Sequence, residues 1–382
     1  MHSASFISAV AAMIFFAAAP SSLAYGPIGH QIVGAIADER LANTPTGAKI
    51  RTLLDGFTLQ KAAVIPDEIK GWDKKGADDP EIFHYSSRPR IDAQLRDFWK
   101  ANPPTHDRTS PIPSHHWFHY TDVPVLNGQK YGDGKAGRWQ WDLVHMISYC
   151  VAVLHGDEPE DNERKITKPI AIILLAHFLG DIHQPLHVGA QFFNGEGAAV
   201  DPDKVETAVE DQGGNTILLR HAPAAAARIG HGQSKLHGFW DNDAVMASMP
   251  ETPKGMPKEE RRAKIDEARR QLVERFAKEE PENWRFGTDV QLKDYAEAYA
   301  NDILPKAREA HERLEFKHIR LKQEEDATLA VGFANEKAAP DGVPYYDWAA
   351  GVVRGELHLA GWRLADLLEK ALNVTAAEGD NR

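Results

Sequence analysis

Apolar residues along this chain recur mostly at helical spacing. In "GHQIVGAIADERLAN", Ile32, Ala35, Ile36 and Leu41 fall on one face, which predicts a helix ending near Pro45. Residues 138–155 and 165–183 read as two strongly apolar helices, and 345–372 as a long core helix. Residues 257–280 interleave Glu with Lys and Arg on a helical period, which reads as a solvated helix rather than a nucleic-acid patch. The stretch 288–323 predicts a further helix, interrupted at Pro305. Strand alternation is scarce, and "TILLR" (216–220) is its best instance. Residues 73–115, rich in Pro, Asp, Arg and Ser, read as largely loop. The Gly/Asp/Glu-rich stretch 189–214 reads as a surface insertion or lid. There is no internal repeat and no linker-like segment, so the pattern predicts a mainly α, single-domain fold with at most a small β element.

The first residues change the boundaries of that domain. "SFISAVAAMIFFAAAPSSLA" is an apolar run followed by Pro20 and the small-residue site Ser22-Leu23-Ala24. It predicts a signal peptide over 1–24, cleaved before Tyr25, and an exported domain over 25–382. No Lys or Arg precedes the apolar run, which is also too short for a comfortable membrane span. Cys150 is the only cysteine, so an intramolecular disulfide is excluded, and its apolar helical setting reads as a small buried hydrophobe rather than a catalytic thiol. The net charge of −12 argues against long-range capture of duplex nucleic acid. It leaves room for a nuclease whose positive charge is carried by bound metal ions.

The chemistry concentrates in "AHFLGDIHQPLH", residues 176–187, which places His177, Asp181, His183 and His187 inside an apolar helical segment. His177 and Asp181 are four apart and share a helix face, and one N and one O donor a turn apart suit a borderline-soft ion such as Zn²⁺. Four other segments carry similar donors: His30 in "YGPIGH", Asp67 in "VIPDEIKGWD", His119 in "HHWFHYTDVP", and His237 with Asp241 in "KLHGFWD". Alone, His237 and Asp241 also fit a surface ion pair, and a lone His such as His145 or His155 fits a surface or satisfied core residue. Together they point to metal, because burying so many imidazoles and carboxylates without a cation carries a desolvation cost that pairing only partly offsets.

In this order, "YGPIGH", "PDEIK", "WFHYTDVP", "AHFLGDIHQPLHVG", "GGN" and "KLHGFWD" resemble the S1/P1 nuclease family of zinc-dependent single-strand nucleases, and "ELHLAGWRLADLLEKAL" resembles that family's last helix. The resemblance spans essentially all of 25–372 and implies a helical fold of the phospholipase C/P1 nuclease type holding three Zn²⁺ ions. It assigns one ion to Asp67, His119, His177 and Asp181, and a second to His187, His237 and Asp241. The third would take the α-amine and carbonyl of Tyr25 with His30 and Asp181, so signal cleavage would be chemically necessary. His183 is not among the implied ligands.

The resemblance further implies attack on phosphorus by a zinc-bridging hydroxide, with Asp67 orienting the water and 5′-phosphate products from single-stranded DNA and RNA. The resemblance leaves open whether 3′-nucleotidase activity on mononucleotides accompanies it. Where the family usually carries Arg, this chain has Lys70, which keeps the charge but loses the bidentate fork. Tyr120, Asp122 and Asn215 match positions that line the family's pocket for an unpaired base; Tyr120 also fits a core position and Asp122 a turn before Val123-Pro124. The chain departs from the family in beginning its mature sequence with Tyr rather than Trp, and in lacking the disulfide cysteines of fungal members, as expected of a bacterial-type member. A zinc-dependent phospholipase C is the nearest rival, and a non-catalytic extracellular zinc-binding protein a more distant one. No obligate protein partner is implied, and a monomer is expected.

Overall fold

The computed structural model describes residues 25–105, 113–250, 255–324 and 327–372; the expected signal peptide lies outside the described residues. The helices are α1 (Gly26–Leu41), α2 (Pro45–Leu53), α3 (Leu59–Ala62), α4 (Ile65–Glu68), α5 (Pro89–Ala101), α6 (Leu143–His155), α7 (Lys168–Asp181), α8 (Pro223–Ile229), α9 (Leu236–Gly238), α10 (Ala244–Ser248), α11 (Lys258–Lys278), α12 (Tyr295–Glu312) and α13 (Tyr345–Leu372).

Helix α7 lies at the centre. The Thr167 hydroxyl accepts the Ile170 N–H and Pro169 occupies the first turn, two ordinary ways to start a helix. Every residue from Pro169 to Asp181 is buried, as a helix apolar around its whole circumference requires. Helices α1, α3, α6 and α13 pack around it. Helix α13 also runs along α1 and α10. Charged α11 buries only Leu272, Val273 and Phe276, in keeping with its solvated pattern.

The β structure is small. Strand β1 (Val123–Pro124) pairs in parallel with β2 (Gly189–Ala190), and β3 (Phe192–Phe193) pairs antiparallel with β4 (Val209–Glu210). Strands β5 (Ile217–Arg220), β6 (Gln233–Lys235), β7 (Leu314–Gln323) and β8 (Thr328–Glu336) form a sheet of order β6-β5-β8-β7, in which only the β5–β8 pair is parallel. The fold is mainly α with a small β element, as the pattern of the sequence predicts. No helix among the described residues is long and apolar enough to cross a membrane.

Three segments differ from expectation. Helix α12 continues through Pro305, because Ile303, Leu304 and Ala307 stay buried on both sides of it, and the chain then turns into β7 instead of remaining helical to 323. The β7 pattern is disguised by a register shift between Lys317 and Arg320, where His318 has a left-handed φ of 55°. That shift spaces Phe316 and Ile319 as a helix would. Within 73–115, α5 forms on a narrow stripe of Ile91, Leu95 and Phe98 started by Pro89, which the surrounding polar residues obscure. Of 189–214, only the middle is exposed; Gly189 to Phe193 are buried, held by β1 and β4.

Candidate metal centre

Most of the donors sit where a helix or turn ends. Asp67 belongs to the single turn α4, and His119 ends the 3-10 turn His115–His119. His177 and Asp181 are in the last turns of α7, and His187 closes the 3-10 turn Pro185–His187 just beyond it. His237 is in α9, and Asp241 is in the π turn Phe239–Asp243 that follows. His30 projects from α1. Three groups of donors form, with ligand atoms within 4.8 Å of one another: His30/His177/Asp181, Asp67/His119/His177 and His187/His237/Asp241.

Asp181 joins the first two groups. Its Oδ1 lies 3.4 Å from His30 Nε2, and its Oδ2 lies 3.1 Å from His119 Nδ1 and 3.3 Å from His177 Nε2. The His30 ring stacks on that of His177 with centroids 3.8 Å apart. Both His30 ring nitrogens and Asp181 Oδ1 are buried with no hydrogen-bond partner. Asp67 Oδ1 is 3.9 Å from His177 Nε2 and accepts a 2.7 Å hydrogen bond from Lys70 Nζ.

The third group supplies the clearest test of whether metal fits. His187 donates its Nδ1–H to His119 O at 2.6 Å, and His237 donates its Nδ1–H to Gly213 O at 2.7 Å. With Nδ1–H so engaged, each ring turns its Nε2 toward the other, and these two nitrogens face each other across 3.0 Å. Asp241 stands 3.5 Å from one and 3.9 Å from the other, and Gln184 Nε2 donates to its Oδ1 at 2.8 Å. Two ring nitrogens and a carboxylate gathered at one point suit a cation between them. Donors about 2.0–2.1 Å from a tetrahedral zinc would be about 3.4 Å apart, close to the spacings here. His177 follows the same rule, donating Nδ1–H to Ala63 O at 2.7 Å and keeping Nε2 for the group.

Burial sets the protonation of the site. It holds His119, His177 and His187 well below the ordinary imidazole range, with Lys70 or neighbouring imidazoles adding to the effect. It pushes the Asp181 carboxyl up to about 7, against the pull of His30. These shifts have a consequence for metal-free protein. The imidazoles have folded pKa values below the unfolded value, so their contribution is complete above about pH 6.5 and is lost as pH falls below it, at about 1.4 kcal/mol per pH unit per proton. Asp181 has a raised folded pKa and opposes this with one proton between about pH 4 and 7. The imidazoles outnumber it, so urea denaturation of chelator-treated protein is expected to give lower stability at pH 5.5 than at pH 7. Equal or higher stability at pH 5.5 would contradict the neutral-imidazole assignment.

Two glycines shape the centre. A Cβ on Gly180 would lie 2.5 Å from His30 Nδ1, so only glycine in α7 lets that ring lie against the helix between His177 and Asp181. Gly180→Ala is expected to displace His30 and weaken metal binding at its group by roughly 10–100-fold, the usual scale for disturbing a ligand's support. Metal titration by calorimetry would read this; unchanged affinity would refute it. Gly213, at a φ of +57°, turns the chain so that its carbonyl meets His237.

The other sequence-predicted residues flank these groups. Tyr25 caps α1 in a left-handed conformation, is buried, and donates its hydroxyl to His183 O at 2.6 Å. A Cβ on Gly26 would lie 3.0 Å from Asp241 O, so the start of α1 runs beside the π turn. His183 donates Nδ1–H to Leu179 O and receives Arg363 Nη1 on Nε2, which engages both ring nitrogens in packing. The Tyr120 ring stands edge-to-face with Trp139, centroids 5.1 Å apart. Asp122 is buried, its backbone N–H bonded to Gly137 O, and Asn215 lies in the turn just after Gly213 and Gly214, donating Nδ2 to Gln212 O. Sequence reasoning missed Gln184, Trp139 and the carbonyls of Ala63, His119 and Gly213. For Gln184 the one signal was its place inside the His-rich peptide.

The S1/P1 Nuclease family model matches residues 25–373, nearly all of the described chain. The chain belongs to the S1/P1 nuclease family. Among curated relatives from Arabidopsis thaliana, Endonuclease 4 is 30% identical over 147 residues, covering 35% of this chain and 40% of the relative. Endonuclease 2 is 24% identical over 234 residues, covering 60% of this chain and 58% of the relative. Endonuclease 1 is 31% identical over 97 residues, covering 25% and 23%. The chain thus spans less than two thirds of the length of these relatives. Membership of the S1/P1 family and the three His/Asp groups are two separate observations that both favour metal binding.

Proposed function

We propose that this chain is an exported, zinc-dependent endonuclease that hydrolyses phosphodiester bonds of single-stranded DNA and RNA to 5′-phosphate products. The observation that carries the reading is the gathering of His30, His119 and His177 around one buried carboxylate, Asp181, beside an Asp67 held by Lys70. The eight side chains assigned to three Zn²⁺ ions, Asp67, His119, His177, Asp181, His187, His237, Asp241 and His30, fit that load because their ring nitrogens and carboxylate oxygens converge in three groups with ligand atoms within 4.8 Å of one another. Zinc there would supply Lewis acidity toward phosphate oxygens and make water acidic enough to ionise near neutral pH.

The chain's own residues do the rest. Lys70 fixes the Asp67 carboxylate, which suits Asp67 to orient an attacking water. Lys70 is itself largely buried, so its charge is poorly screened and well placed to favour a phosphate oxygen as a point charge. Tyr120, backed by Trp139, offers a ring for stacking, and Asp122 and Asn215 offer polar groups for a base edge. A base paired within a duplex cannot enter such a pocket, which favours single strands. Removal of residues 1–24 would give Tyr25 a free α-amine as a donor with His30 and Asp181.

The test is cleavage by protein beginning at Tyr25, assayed on single-stranded DNA, RNA, duplex DNA and phosphatidylcholine. Single strands should be cut with 5′-phosphate ends, and lipid cleavage without nucleotide release would overturn the reading. A companion protein with one residue added before Tyr25 should bind one zinc fewer and lose most activity. Full zinc content in that protein would remove Tyr25 from the ligand set.

A further inference from the structure

A second set of donors lies outside the centre. His221 follows β5, His231 precedes β6, and Asp243 ends the π turn that also carries Asp241. One ligand atom from each lies within 4.8 Å of the others. His231 Nδ1 sits 3.0 Å from Gln233 O, to which it donates its proton, leaving Nε2 bare and 3.6 Å from Asp243 Oδ1. That is too long for a hydrogen bond and close to the spacing of two donors on one zinc. His221 stands with its ring centroid 5.5 Å from that of His231, and its Nε2 is 2.9 Å from Ser234 Oγ. Residues two apart on a helix do not face each other, so Asp243 is directed away from the group that Asp241 serves. The side chain of His231 is 48% exposed and that of Asp243 18%, which leaves room for water to complete a coordination shell.

A rival cluster lacks these properties. Asp73 receives His115 Nε2 at 3.2 Å and His116 Nε2 at 2.5 Å, and Trp99 Nε1 at 2.9 Å, so both of its imidazoles are hydrogen-bonded to the carboxylate directly. At the other cluster Ser234 bonds both His221 and Asp243, and His231 Nε2 stays beyond hydrogen-bond distance of Asp243. His115 Nδ1 is moreover buried with no partner, whereas a ligating imidazole usually gives its second N–H to an acceptor. His231 has that acceptor.

We propose that His221, His231 and Asp243 form an additional site for Zn²⁺ or a divalent ion of similar softness, separate from the buried centre. An ion there would tie the connection between β5 and β6 to the π turn, and so brace the backbone that presents His237 and Asp241. The site does not depend on what the centre catalyses.

Zinc bound per chain, measured by equilibrium dialysis and elemental analysis of the mature protein, tests this. His231→Ala and His221→Ala should each hold one zinc fewer than the wild type, with far-UV circular dichroism unchanged. Zinc content equal to the wild type in both variants would overturn the proposal. So would loss of more than one equivalent, because the residues would then be supporting the buried centre. A spectrum showing lost helix in one variant passes the decision to the other, since the two substitutions lie on different segments.

Discussion

Asp181→Asn is expected to lower cleavage of single-stranded DNA by about a thousandfold or more and to empty two of the three donor groups. The two carboxylate oxygens face different sides, Oδ1 toward His30 and Oδ2 toward His119 and His177. Asparagine keeps one acceptor and turns the other into an NH₂ donor pointed at bare nitrogens. Metal contributes several kcal/mol of transition-state stabilisation, which is a factor of about 10³ in rate. Zinc analysis should show the His187/His237/Asp241 group still loaded. Metal-free variant should be at least as stable as metal-free wild type, because the substitution removes a buried carboxylate whose ionisation burial disfavours. That pair of readings separates a ligand from a structural residue. An Asp181→Asn protein with full zinc and full rate would remove Asp181 from the centre.

Removing zinc from the wild type should lower Tm by on the order of 10 °C. An ion at a thousand times its Kd contributes about 4 kcal/mol to the folded state, and a large domain shifts by roughly 2 °C or less per kcal/mol. Three such ions reach the stated scale. The structural ground is the set of His/Asp donors that a cation would draw together, above all the facing nitrogens of His187 and His237. Thermal melts with and without chelator, followed by zinc or magnesium, would check it. Zinc should restore Tm and magnesium should not, since nitrogen-rich sites favour the softer ion. A Tm indifferent to chelation would mean these groups are held together by protein contacts alone.

Much of this was legible in the sequence because the period of apolar residues and the donors themselves are local signals. Helices α1, α11 and α13 announce themselves by spacing and α7 by its unbroken apolar run. His177 and Asp181, four apart, share α7, whereas His237 and Asp241 fall on α9 and the π turn that follows it. What supports the donors was not legible. Every residue has a carbonyl, so nothing in the sequence distinguishes those of Ala63, His119 and Gly213, which decide which nitrogen of each imidazole is free. Gln184 reaches Asp241 only because the fold brings residues 57 positions apart together. Strand β7 was hidden by its own bulge, and α5 by polar neighbours that outweigh a narrow stripe. Gly180 was open to inference, since glycine in so apolar a helix is out of place unless something approaches closely.

The helix that carries His177 and Asp181 has no side turned to solvent. Its amide protons should be among the last in the chain to exchange with deuterated water, since exposing them means opening the whole core. Sequence change is thereby tolerated mainly in outer segments, such as the exposed middle of 189–214, while the spacing of the buried donors stays fixed.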